Sequence, residues 1–241
     1  MKSLSEYILE VVTSKELANE IEFEKASNVL TNKLIQQNGS MSELFGNIDG
    51  IEKVRIEYAF PSAAITERYA IKYKGEYIGV VGIVDGDKMV RYASQNSNNF
   101  VTEQIILLAY PYIKVEPDDS HLLSRSLLRK LERALDGTLY VAYLYLFKQK
   151  YQSLDLSPMA TIKVVFDTIK ETAEARHAKR IMAGGKDYRV TNLYCKVGGF
   201  HKNADKYPRT VEEYFRYKQL RNWYVEDTFY EFKDHGVVID L

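Results

Sequence analysis

Between Arg176 and Arg209 the basic residues are Arg176, Lys179, Arg180, Lys186, Arg189, Lys196, Lys202, Lys206 and Arg209, opposed only by Asp187 and Asp205. Such a run is a solvated face, or else a surface for an anionic cofactor, a nucleic-acid backbone or an acidic partner. Further upstream, Asp118, Asp119 and Ser120 follow Pro117 at a helix start, where each is a good N-cap. His121 and Ser124 beside them have the chemistry to touch a phosphate. No metal site is expected, because His121, His177, His201 and His235 show no ligand spacing with one another or with Cys195. Gly184-Gly185-Lys186 lacks the upstream glycine of a phosphate-binding loop, and no G-x-S-x-G nucleophile elbow occurs.

These residues sit in a chain of 241 residues with zero net charge, one cysteine and nineteen tyrosines. That length suits one enlarged domain with appendages. Zero net charge argues against a generic nucleic-acid coat, and nucleic acid is not an expected partner. A single cysteine forbids an intrachain disulfide, and a reducing compartment is the simpler setting. No apolar run is long enough for a bilayer, and Met1 to Val12 lacks a signal peptide's apolar centre. The expectation is a soluble, cytoplasmic protein with no membrane partner. Tyrosine suits half-buried sheet faces and interfaces, which leans towards a protein partner.

The elements that must position these groups follow from period and punctuation. Two helical patterns, Leu4 to Val11 and Leu17 to Leu34, predict a helical arm over residues 1–45 that ends at Asn38-Gly39. Ala70 to Tyr73 and Tyr77 to Val84, joined at Lys74-Gly75-Glu76, predict a hairpin, with another turn at Asp85-Gly86-Asp87. Ser94 to Asn99 is expected as a loop. Gln104 to Val115 is expected as a long strand interrupted at Pro111. Leu123, Leu127, Leu131 and Leu135 predict a helix ending at Asp136-Gly137, and Thr138 to Phe147 an apolar strand. Strand, helix and strand with short joints imply a parallel crossover. Ser157-Pro158 opens a long helix running towards Gly184-Gly185, a second helix carries Tyr194, and a strand starts at Phe200. The aromatic tail, residues 210–241, is expected to form a helix and two short strands over a sheet edge.

Asn192-Leu193-Tyr194-Cys195-Lys196-Val197-Gly198-Gly199-Phe200, about 80 residues after Tyr112 to Pro117, resembles the closing L-Y-x-K-x-G-F segment of the GNAT-type N-acetyltransferases, with one extra glycine. The element order over Gly46 to Arg209 is similar to that family's as well. The resemblance implies an α+β fold, a mixed sheet with a GNAT-like core over 46–209, the helical arm before it and the aromatic extension after it. It implies a fourth strand that carries a bulge and splays from the fifth, with acetyl-CoA in the V-shaped gap. It implies direct attack of an amine on the acetyl thioester. On the expected strand positions, Tyr194 protonates the leaving thiolate and Glu116 is the base, with Glu103 a further candidate; Val115, His121, Leu122, Leu123, Ser124 and Arg125 hold the cofactor.

The family's Q/R-x-x-G-x-G/A turn binds pyrophosphate through backbone N–H groups at a helix start. The chain has no glycine from Asp87 to Asp136, and Asp118 and Asp119 would repel a pyrophosphate there. Tyr194 also fits a packed ring with a solvated hydroxyl. The functional expectation is therefore acetyl transfer from acetyl-CoA to an amine. The alternative is an inactive GNAT-like structural or interaction protein, such as a phage virion or accessory component, using its arm or aromatic tail. A nucleic-acid-binding module using the basic segment is a third reading.

Overall fold

A computed structural model describes residues 16–38, 65–96, 105, 109–113, 125–184, 188–202, 233–234 and 236–241. Their architecture is α+β: a mixed seven-stranded sheet with helices on both faces. The strands are β1 (Ile21–Lys25), β2 (Glu67–Tyr73), β3 (Glu76–Asp85), β4 (Thr138–Leu146), β5 (Arg180–Gly184), β6 (His201–Lys202) and β7 (Gly236–Asp240), in the spatial order 1-2-3-4-5-7-6. The helices are α1 (Asn28–Asn38), α2 (Gly86–Asn96), α3 (Arg125–Leu135), α4 (Lys148–Ser153), α5 (Pro158–Ala175) and α6 (Tyr188–Gly198). All neighbouring strands pair antiparallel except β4 and β5.

The β2–β3 hairpin lies where the sequence predicts it. Lys74 and Gly75 adopt φ of 50° and 81°, the pair of positive values that a tight two-residue hairpin turn requires. One face of the sheet packs under α1, α2 and α3 through Leu34, Met89, Val90, Leu127 and Leu131, which meet Tyr140, Tyr143, Met182 and Val238. The other face packs under α5 and α6. There Ile162, Val165, Phe166 and Ile169 cover Ile71, Val81, Val141, Ile181 and Val237. Among the described residues no helix is long and apolar enough to cross a membrane, and no group of His, Cys, Asp and Glu could hold a metal ion.

Several expectations are corrected. Ile21 to Lys25 is an edge strand paired with β2, so this part of the expected helical arm belongs to the sheet; Ile21 and Phe23 alternate with Glu22 and Glu24, which is a strand period. Asp85-Gly86-Asp87 opens helix α2 instead of a turn, supported by an Arg91–Asp87 ion pair one turn apart at 3.0 Å. The expected strand at 104–115 is not one where it is described. Ile105 and Ala109 are helical and fully buried, and Tyr110–Tyr112 form a 3₁₀ turn around Pro111. Among the described residues β4 pairs antiparallel with β3 and parallel with β5, and the described part of 104–115 contributes no strand beside it.

The parallel crossover is β4–α5–β5. Helix α5 ends at Ala175, and His177 adopts φ 56°, closing the helix before the chain reaches Gly184. The N–H groups of Lys179 and Arg180 then donate to the Gly137 carbonyl, starting β5 beside β4. In the tail, β7 inserts between β5 and β6 with Val237 and Val238 fully buried, so it is a core strand and not a cover over an edge.

Candidate active site

β4 and β5 pair only from Thr138–Arg180 to Val141–Ala183. Beyond that, the strand pairing of Ala142 to Leu146 among the described residues is with β3, and the described part of β5 ends at Gly184. Gly82 faces Tyr143 while Ile83 faces Val141, leaving Ala142 as an extra residue on β4. Such a bulge bends its strand and increases its twist. An extended ligand with amide groups can pair with a strand edge as an added strand does.

Close packing holds this geometry. A Cβ on Gly82 would lie 2.4 Å from Cε1 of Tyr143, so the tyrosine ring covers the glycine directly across from the bulge. Tyr143 stacks on Tyr145 with centroids 5.5 Å apart, and burial pushes its phenol pKa up. Tyr140 reaches from β4 to the end of β5: a Cβ on Gly184 would stand 3.2 Å from its hydroxyl.

Between β4 and α5 lie a short helix and a turn. Lys148–Ser153 form α4, and Ser157 caps α5 by accepting the Ala160 N–H at 3.4 Å, with Pro158 in the first turn. Gln152-Ser153-Leu154-Asp155-Leu156-Ser157 leads from α4 into α5. Asp155 adopts φ 51°, a left-handed conformation that glycine favours and Asp tolerates better than most residues. The turn is thus formed without glycine; none occurs between Gly137 and Gly184. Lys150 is held by Glu76 at 2.6 Å. Tyr151 is 3 % exposed, its hydroxyl has no hydrogen-bond partner, and burial raises its pKa.

Of the residues singled out in the sequence, Tyr194 lies on α6 and is buried. Its ring packs edge-on against Phe166 at 4.8 Å, and Phe166 also meets Phe200 at 4.8 Å. Arg125 is exposed at the start of α3, which packs against α2 and is not the crossover helix. Glu103, Val115, Glu116, His121, Leu122, Leu123 and Ser124 lie outside the described residues. The basic run is partly neutralised: Arg176 forms a two-pronged pair with Glu67 at 2.7 and 2.8 Å, Lys179 pairs with Asp136, and Arg180 stacks on Tyr112 at 3.7 Å. Cys195 is half-buried, which raises its thiol pKa. The bulge at Ala142 and the left-handed Asp155 are not legible in the sequence, because no glycine marks either of them.

No family model matches the chain, and no curated protein sequence is similar to it. Solved structures similar to it include a Bacillus subtilis acetyltransferase in complex with CoA, at 13 % identity over 92 % of this chain and 98 % of that one, with a TM-score of 0.40. A protein designated SsHAT is 12 % identical over 76 % of this chain and 91 % of its own, with a TM-score of 0.42. An apo agmatine N-acetyltransferase variant is 9 % identical over 92 % of this chain and 100 % of its own, also at 0.42.

Proposed function

We propose that the chain transfers an acetyl group from a pantetheine thioester, acetyl-CoA in the first instance, to an amine. The observation that carries this reading is the bulge at Ala142 on β4, just past the last parallel pair with β5, Val141–Ala183, at the strand pair where the acetyltransferase resemblance requires a gap. The pantetheine arm would lie along this part of β4, its amides pairing with the strand. The amine nitrogen attacks the thioester carbon, the C–S bond breaks, the nitrogen gives up a proton and the thiolate takes one. Tyr194 is the residue we assign to the thiolate's proton, and Glu116 to the amine's, directly or through water.

A non-catalytic binding protein is the second reading, favoured by the absence of glycine between Gly137 and Gly184; its partners would meet the N-terminal arm or the aromatic tail. Release of free thiol from acetyl-CoA, measured across a panel of amines, separates the two. Amine-dependent release is expected. Tyr194→Phe should lower it at least tenfold, since general acids contribute about 10²–10⁴-fold, with melting unchanged because the ring keeps its packing on Phe166. No release with any amine, and no melting shift at millimolar acetyl-CoA, would leave the second reading.

A further inference from the structure

We infer that the outer face of helix α3 binds the phosphate backbone of a nucleic acid, whatever the sequence of its bases. Arg125, Arg129 and Arg133 are all exposed and stand four residues apart, in one row along α3. Leu127, Leu131, Ala134 and Leu135 fill the opposite, buried side. At the helical rise the three side chains leave the axis about 6 Å apart, so the row spans about 12 Å. Lys130 adds a fourth positive charge to this helix, and Glu132 is its one acid.

Several cations elsewhere carry a carboxylate. Lys88 and Arg91 on the adjoining α2 pair with Asp85 and Asp87 at 2.6 and 3.0 Å, Lys150 pairs with Glu76, and Arg176 with Glu67. The three arginines of α3 make no ion pair among the described residues. Asp136, three residues after Arg133, is taken by Lys179. Like charges four residues apart destabilise a helix, so the row does not serve the helix's own stability. A guanidinium fork matches the oxygens of a phosphate in a two-pronged bond.

The same face fits a nucleic acid better than an acidic protein. A protein interface is built around apolar or aromatic anchors. The exposed residues of α3 are Arg125, Ser126, Arg129, Glu132 and Arg133, which include none. Nucleic-acid interfaces are polar and positively charged, and arginine and serine both contact phosphates. Zero net charge weighs against a coat protein but leaves a local row of charge in place.

Fluorescence anisotropy of a labelled DNA duplex titrated with the whole chain tests this. Binding at physiological salt should be weak, with a dissociation constant on the order of 10⁻⁵ M. It should weaken about 40-fold between about 50 and 200 mM salt, the slope expected of about three phosphate contacts. Arg129→Gln alone should flatten that slope by about one third. Arg125→Gln, Arg129→Gln and Arg133→Gln together should abolish binding with melting nearly unchanged, because all three positions are exposed and glutamine suits a helix. No binding at about 50 mM salt, or affinity and slope that survive the triple substitution, would overturn the inference. So would a polyglutamate peptide that binds as tightly as the duplex through the same arginines; the face would then belong to an acidic protein.

Discussion

Gly82→Ala probes the contact that fixes the bulge. An added Cβ would sit 2.4 Å from Cε1 and 2.5 Å from Cζ of Tyr143, against about 3.5–4.0 Å for relaxed carbon contacts. The ring must therefore move by about 1 Å, yet Tyr143 is only 8 % exposed. Overpacking of this kind costs about 1–3 kcal/mol, and exchanging glycine for alanine in a strand returns about 0.5–1 kcal/mol. The net loss is about 1–2 kcal/mol, or a melting temperature lower by about 2–8 °C for a chain of this size. Thermal unfolding followed by circular dichroism, repeated in a Tyr143→Ala background, isolates the clash. Without the ring, Gly82→Ala should be neutral or stabilising, giving a coupling of at least about 1 kcal/mol. An equal cost in both backgrounds, or no cost in the parent, would refute the packing assigned to the bulge.

Ser157→Ala removes the hydroxyl that caps α5 and should lower stability by about 1 kcal/mol, read as a drop in denaturation midpoint. The Arg176 guanidinium holds the Glu67 carboxyl below the usual carboxylate range, with help from the Tyr69 hydroxyl. The folded-state pKa is depressed, so this stabilisation is full above the unfolded value of about 4.3 and is lost as pH falls through the folded value. Between pH 5 and 3, on the order of that window, the parent should lose more stability than Glu67→Gln; parallel pH curves would contradict the pair's role.

What was legible in the sequence is what local chemistry decides. Lys74-Gly75 marks the hairpin because only a few residues accept two positive φ values, and Ser157-Pro158 marks α5 because a cap and an N-terminal proline are strong signals. β5 was hidden because its apolar centre is only Ile181-Met182-Ala183. A strand buried on both faces has no alternation to separate it from the end of a helix. Taking Gln104–Val115 as a strand then displaced the expected crossover by one element. The bulge at Ala142 is a matter of register between distant strands, which no local pattern records. The helix that carries Tyr194 was legible because it has its own glycine stop, while the packing of Tyr194 against Phe166 needed α5 to be placed first.

Hydrogen exchange across β4, with and without a non-reactive thioether analogue of acetyl-CoA, tests the central claim most directly. If the donor's arm lies along the second half of β4, amides of Ala142–Leu146 should exchange more slowly at saturation, while Thr138–Val141, already paired with β5, should gain little beyond the general stabilisation by a bound ligand. Binding that protects other segments and leaves Ala142–Leu146 unchanged would place the ligand elsewhere and contradict the account.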